Sequence, residues 1–103
     1  MKISKLKEKI YEEYKRIGFE DYFNKGNLVL GDLAELGLVT TEISEGLECI
    51  RKGNKEHLGE ELADIIIRTI NFSTRKHIDI EMELRKKILI NSKREYKHGN
   101  QNV

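Results

Sequence analysis

The 103-residue sequence contains no proline, no tryptophan and a single cysteine. One cysteine excludes an internal disulfide, and Cys49 has no activating base beside it in the sequence. No aliphatic run is longer than that from Ile65 to Ile67, which is too short to span a bilayer. Lysine and arginine number 19 against 18 acids, so no net charge favours nucleic acid or a membrane surface as a partner. Because the first residues lack the apolar segment of a signal peptide, we expect a cytoplasmic protein.

What the sequence does contain is helical periodicity in four segments, with glycine and asparagine at the first two of the three breaks between them. Charged residues (36%) balance hydrophobic residues (38%), as in a globular protein with amphipathic elements. No segment alternates as a strand does. We therefore predict one all-α domain over residues 1–103, an antiparallel four-helix bundle-like fold. The helices are expected at about 3–16, 28–51, 55–76 and 79–97, with Asn27, Asn54 and Asp79 as N-caps.

Two acidic pairs, each with a spacing of three residues, lie beside the most apolar segments. Glu42 and Glu45 belong to the second helix, and Glu61 and Asp64 belong to the third. Residues three apart lie about 5–6 Å from each other on a helix, so each pair can converge on one point. If the two helices pack antiparallel, the four carboxylates need either protons or a cation. The alternative, left open here, is a solvated face on which Asp64 pairs with Arg68.

Oxygen ligands with no cysteine or histidine nearby favour Mg²⁺, or Mn²⁺, over zinc. The third helix is apolar around most of its circumference and should therefore be central, with another subunit covering part of it. The main apolar stripe of the second helix consists of Leu36, Val39, Ile43, Leu47 and Ile50.

The fourth helix is expected to face inward through Ile80, Leu84 and Ile88, and this face becomes cationic toward its C-terminal end. One explanation is that the basic side chains reach solvent there and offset the helix dipole. The other is that they hold a polyphosphate, with a guanidinium gripping two oxygens. The residues that continue the face are Lys87, Asn91, Arg94 and His98.

Together these residues resemble the signature of the MazG-like all-α nucleoside triphosphate pyrophosphohydrolases. The Glu42-x-x-Glu45 motif is followed, after 15 residues, by Glu61-x-x-Asp64 in the setting EELAD. The ending NSKREYKHG is similar to that of many small members. The likeness covers about residues 28–99, which leaves 1–27 as an N-terminal helix and loop and 100–103 as a disordered tail.

The resemblance implies cleavage of a nucleoside or deoxynucleoside triphosphate between its α- and β-phosphates, giving the monophosphate and pyrophosphate. It also implies that Glu42, Glu45, Glu61 and Asp64 bind Mg²⁺, with Glu42 or Glu45 as the general base. Homodimers or homotetramers are implied as well. The base, the sugar, the number of ions and the choice between clearing nucleotides and regulating a pool stay open. The implied phosphate contacts are Lys87, Asn91 and Arg94, with Tyr96 and His98 close to the nucleotide.

Other functions fit the residues less well. A di-iron carboxylate bundle needs two Glu-x-x-His motifs, and the sequence has only Glu95-x-x-His98. Nucleic-acid binding is disfavoured because basic and acidic residues are balanced and interspersed. A non-catalytic helical protein-interaction module would explain the amphipathic helices without using the acids, and it is the remaining alternative.

Overall fold

The computed structural model describes residues 2–16 and 28–94, and every regular element within them is an α-helix. The all-α prediction is therefore confirmed. None of the described helices has the length and apolar character needed to cross a bilayer. The helices are α1 (Ile3–Arg16), α2 (Leu28–Lys52), α3 (Lys55–Arg75) and α4 (Ile80–Ser92).

The predicted boundaries agree to within one residue for α1, α2 and α3, but the predicted end of the fourth helix is wrong. Helix α4 ends at Ser92, where the N–H of Lys93 and of Arg94 each donate to the carbonyl three residues earlier, at 3.2 Å. Bonds to the third residue back tighten the last turn and end the helix. The predicted cap Asn27, the positions 95–97 and the predicted tail 100–103 lie outside the described residues.

A two-residue turn connects α2 to α3. Gly53 has φ = 68°, and its N–H donates to the carbonyl of Ile50 at 3.1 Å, while Asn54 N–H donates to that of Cys49 at 2.9 Å. This pair of bonds is a Schellman motif, which needs the left-handed conformation that glycine adopts without strain. The Asn54 side chain then accepts from the N–H of His57 at 3.0 Å, confirming the predicted cap. So short a turn makes α2 and α3 antiparallel neighbours.

The connection from α3 to α4 repeats this arrangement without a glycine. His77 has φ = 58°, and Ile78 N–H donates to the carbonyl of Ser73 at 2.8 Å. The carboxylate of Asp79 accepts from the N–H of Met82 at 3.0 Å, so Asp79 is also confirmed as a helix N-cap.

The face that α2 turns toward α3 is polar and close-packed rather than aliphatic. Its buried positions follow one another at steps of seven, four and three residues: Glu35, Glu42, Gly46 and Cys49. A Cβ at Gly46 would lie 3.5 Å from Cδ1 of Leu58, an ordinary van der Waals distance, so α2 and α3 are in contact at this position. Helix α1 packs on α3 and buries Ile10.

The main aliphatic stripe of α2 and the expected inward face of α4 are instead exposed. Leu47 is 58% exposed and Ile50 62%, and on α4 Leu84 is 42% and Ile88 65% exposed. The inward orientation expected for α4 is therefore wrong within the described chain, and no residue of α4 is buried. The stripe of α2 is exposed because α2 meets α3 through its carboxylate side, and none of the other described helices covers its aliphatic side.

A buried ionic network joins the start of α2 to the end of α3. The guanidinium of Arg75 donates from Nε to Glu35 and from Nη2 to Asp32, both at 2.6 Å. Asn71 Nδ2 donates to the other oxygen of Glu35 at 3.1 Å, and Lys76 Nζ lies 2.6 Å from Asp32. These contacts fix the register of the helix pair. Two turns further along α2 and two turns back along α3, the same register brings the predicted acids together.

Candidate metal centre

Three of the four predicted carboxylates converge between α2 and α3. Oxygens of Glu42, Glu45 and Glu61 all lie within 4.8 Å of one another. Glu42 is seven residues after Glu35 on α2, and Asp64 is seven residues before Asn71 on α3, so the register set by the ionic network carries these acids to the same level. Asp64 interacts with the carboxyl group of Glu42 but is not one of the three that converge.

Glu61 has the geometry of a preorganised metal ligand. It is buried, and Nε2 of His57, one turn earlier on α3, lies 3.2 Å from its Oε2. Its other oxygen, Oε1, is buried and has no hydrogen-bond partner among residues 2–16 and 28–94. A buried carboxylate oxygen without a partner is costly unless a ligand satisfies it. The expectation of no histidine near the acids is wrong, because His57 contacts Glu61 and orients it.

Crowding of the carboxylates changes their affinity for protons. Burial raises the pKa of Glu42 to about 7, the neighbouring carboxyl groups of Asp64 and Glu61 add to the rise, and the charge of Arg68 opposes it. The pKa of Glu45 is also raised, mainly by its interaction with the Glu61 carboxyl group. The metal-free site thus competes for protons at neutral pH. A cation among the oxygens would offset the repulsion between the carboxylates and favour their charged forms.

The residues fit a hard divalent cation. All three converging groups supply carboxylate oxygens, and in octahedral Mg²⁺ coordination opposite ligands are about 4 Å apart. The unpartnered Oε1 of Glu61 gives the site one oxygen with no competing protein contact. Glu42, Glu45 and Glu61 would hold the ion, and Asp64 lies beside them.

A cavity of about 310 Å³ lies next to the carboxylates, at the α2–α3 turn. Burial raises the pKa of the Cys49 thiol, and the nearby Glu61 and Glu45 carboxylates raise it further. This thiol is therefore kept in its unreactive protonated form, as its sequence neighbours indicated. The cavity is lined by Glu45, Glu48, Cys49, Lys52, Asn54 and His57.

The predicted phosphate-binding residues do not contact the carboxylates within the described chain. Lys87, Asn91 and Arg94 are exposed, and their side chains form no hydrogen bond or ion pair with residues 2–16 or 28–94. Tyr96 and His98 lie outside the described residues.

Two residues of the site were missed from the sequence, although one carried a local signal. His57 precedes Glu61 by four residues, a spacing that places two side chains together on a helix. Arg68 has the same spacing from Asp64, but the expected ion pair between them is not formed, and Arg68 Nε is buried without a partner. Spacing permits a contact, and packing decides whether it forms.

Comparison with known proteins gives one match. The model of the MazG nucleotide pyrophosphohydrolase domain matches residues 32–95, which include α3, α4, most of α2 and all four predicted metal ligands. Neither a curated protein nor a solved structure matches the chain significantly.

Proposed function

The chain belongs to the MazG nucleotide pyrophosphohydrolase family, and from this membership we propose that it hydrolyses nucleoside triphosphates between the α- and β-phosphates, with Mg²⁺ as cofactor. The products are a nucleoside monophosphate and pyrophosphate. The observation that carries the proposal is the convergence of Glu42, Glu45 and Glu61, with an oxygen of buried Glu61 left unpartnered. A non-catalytic interaction module has no use for such a costly cluster. Cytoplasmic location stays a prediction.

Each residue of the cluster has a proposed part in this reaction. Bound Mg²⁺ would neutralise charge that develops on the phosphate oxygens and orient the leaving group. Glu61, oriented by His57, would hold the cation from α3, and Glu42 and Glu45 would hold it from α2, with Asp64 beside them as the proposed fourth ligand. Because Glu45 is exposed to solvent whereas Glu42 is buried, Glu45 is the better placed of the two to accept a proton from the attacking water. Mn²⁺, another hard cation, is expected to substitute.

The substrate's phosphates are proposed to contact Lys87, Asn91 and Arg94, with Tyr96 and His98 near the nucleotide. Support comes from their chemistry: Lys87 and Arg94 are exposed cations that pair with no acid of the described residues, so they are available to bind a polyanion. Since they do not reach the carboxylates within the described chain, we propose that α4 repacks or that the residues come from a second subunit.

The proposed activity is tested by product analysis. We expect purified protein with Mg²⁺ to convert at least one of a panel of ribo- and deoxynucleoside triphosphates into monophosphate and pyrophosphate, detected by anion-exchange chromatography. EDTA should abolish the reaction and Mn²⁺ should restore it. Release of orthophosphate and a diphosphate would show cleavage at the other anhydride bond and contradict the proposal, as would no turnover of any substrate.

We propose that a second copy of the chain covers the exposed aliphatic face of α2, giving a homodimer or a homotetramer. Contiguous apolar surface of this extent is rare on a monomer. The stripe is on the side of α2 away from its buried acids, so a partner could pack there without occupying the metal centre. The exposed apolar residues of α2 are Val29, Leu30, Leu33, Leu36, Ile43, Leu47 and Ile50.

A charge placed in this stripe should separate the subunits without unfolding the chain. We expect Leu47→Glu to shift the mass measured by light scattering on a sizing column from oligomer to monomer, because a carboxylate would be buried at the interface. Ser44→Glu, which adds the same charge beside the stripe, is the matched control and should stay oligomeric. An unchanged mass for Leu47→Glu would show that the aliphatic stripe of α2 does not form the interface between subunits.

A further inference from the structure

Arg68 stands apart from the other arginines of the described helices. Each of the others pairs with a carboxylate, as the bonds from Arg16 to Glu13, Arg51 to Glu48, Arg75 to Glu35 and Arg85 to Glu81 show. Arg68 is half-buried, its Nε is buried without a hydrogen-bond partner, and no acid of residues 2–16 or 28–94 forms an ion pair with it.

An unpaired, half-buried guanidinium is an unstable arrangement in the absence of a ligand. A buried N–H that has left water without gaining an acceptor loses its hydration free energy. Asp64 is one turn away and would be the natural acceptor, yet it interacts with Glu42 instead. The Nε–H of Arg68 is thus left for an acceptor that the described residues do not supply.

The surroundings of Arg68 indicate what that acceptor is. On one side are the carboxylates, since Asp64 and Glu61 lie one and two turns earlier on α3, about 6 and 10 Å along the helix axis. On α2, Leu38 is half-buried and lies at the same level along the helix pair as Arg68, because it follows Glu35 by three residues as Arg68 precedes Asn71 by three.

The third neighbour is an aromatic side chain from α1. Tyr14 is half-buried; burial raises the pKa of its hydroxyl group, and the charge of Arg68 opposes that rise. Arg68 therefore lies between oxygens suited to a metal pyrophosphate and a leucine–tyrosine surface suited to a nucleoside. The group of a nucleotide that lies between those two parts is its α-phosphoryl group.

We propose that Arg68 is a substrate-binding residue that grips the α-phosphoryl group, the one that stays on the nucleoside, through the Nε–H and Nη–H edge of its guanidinium. This inference rests on the proposed function. The Nε–H and one Nη–H point the same way, so they bind two oxygens of one phosphoryl group, a geometry that lysine cannot reproduce. By holding this group, Arg68 keeps the α-phosphorus at a fixed distance from the carboxylates.

Ligand titrations separate this role from the alternatives. The probes are the four 2′-deoxynucleoside 5′-monophosphates, the matching deoxynucleosides, and pyrophosphate, each titrated by NMR in the presence of Mg²⁺. For Arg68→Met we expect the Kd of the bound monophosphates to rise about 30-fold or more, with nucleoside and pyrophosphate affinities unchanged. Arg68→Lys should be intermediate, because it keeps the charge and loses the fork. Arg85→Met, which removes an exposed arginine on α4, is the control for net charge.

The thermal midpoint gives a second readout. Arg68 forms no hydrogen bond or ion pair with the described residues, so Arg68→Met should lose only the attraction between its charge and the Glu42 carboxylate and should melt close to the parent's temperature. A Kd for monophosphates equal to that of the parent would overturn the inference. An equal loss of affinity for nucleosides would also overturn it, because it would mean that Arg68 contacts the base or sugar rather than the phosphate. A fall in stability with a uniform loss of every ligand would show a structural role. If Arg68→Met fails to fold, Arg68→Lys carries the same comparison.

The parent protein is assayed first, so that the two proposals fail separately. A parent that neither cleaves nucleoside triphosphates nor binds their monophosphates would refute the proposed function. A parent that does both, alongside an Arg68→Met variant with unaltered monophosphate affinity and unaltered kcat/KM, would refute only the assignment of Arg68.

Discussion

Replacing Glu42 by glutamine is expected to lower turnover about a hundred- to a thousand-fold and, in metal-free buffer at pH 8, to stabilise the protein. The two effects share one cause. The carboxylate of Glu42 is held in a buried site beside Asp64 and Glu61, where it is useful only when a cation is bound. Loss of one charged oxygen ligand weakens Mg²⁺ binding and the charge stabilisation that it supplies.

The sign of the stability effect follows from the pKa of Glu42. That pKa is raised from 4.5 to about 7 in the folded chain, so between these values the folded state binds more protons than the unfolded state. Stability therefore falls as pH rises through this window, and the full penalty is present above pH 7. Glutamine carries no charge and escapes it. We expect a gain of about 1–3 kcal/mol at pH 8 that vanishes below pH 4.5.

Urea unfolding at pH 4.5 and pH 8 in EDTA measures this difference, and Mg²⁺ supplies a second comparison. Added Mg²⁺ should stabilise the parent at pH 8 and have little effect on Glu42→Gln. The control is Glu12→Gln, which removes an exposed acid of α1 that no described residue pairs with, and it should change neither turnover nor stability. A Glu42→Gln variant that is less stable than the parent at pH 8 would contradict the account of a repulsive, metal-seeking cluster.

Replacing Arg75 by methionine is expected to cost about 3–5 kcal/mol of unfolding free energy, a large part of what a domain of this size has. The Arg75 side chain is only 6% exposed, and the Glu35 carboxylate that it pairs with is 2% exposed. Without the guanidinium, Glu35 is left as a buried charge, and Asn71 is the one hydrogen-bond donor that the described part of the chain still offers it. The midpoint of thermal unfolding should fall by more than about 12 °C.

Two comparisons isolate the buried pair as the cause. The double variant with Glu35→Met and Arg75→Met should recover more than half of the loss, because both buried charges are then gone. Arg85→Met breaks an exposed pair with Glu81 and should cost less than about 0.5 kcal/mol. A loss below about 1 kcal/mol for Arg75→Met would show that the pair does not hold α2 against α3.

The register set by this pair links stability to the metal centre. Arg75 and Glu35 lie at the end of the helix pair that is away from the α2–α3 turn. The carboxylates of Glu42, Glu45 and Glu61 lie between this ion pair and the turn. With the turn fixing one end and the ionic network the other, α2 cannot slide along α3. A loss of the network should therefore weaken Mg²⁺ binding as well as folding.

The sequence alone determined the helices of this protein and the residue types of its site. The helix caps Asn54 and Asp79 depend on contacts within four residues of the chain, and so does the i, i+3 spacing of the acids. Such local features can be predicted from the amino-acid sequence. The family signature in the same residues was likewise visible before any coordinates, and the match over residues 32–95 confirms it.

The tertiary structure alone decided which faces meet. Periodicity identifies an aliphatic stripe and an acidic stripe on α2, but it does not say which of them packs on α3. That choice depends on contacts such as Arg75 with Glu35, 40 residues apart, whose free energy no local pattern contains. For the same reason the convergence of Glu42, Glu45 and Glu61, the orienting contact of His57 and the unpaired state of Arg68 follow from the register of two helices, because that register sets which side chains lie within reach of one another.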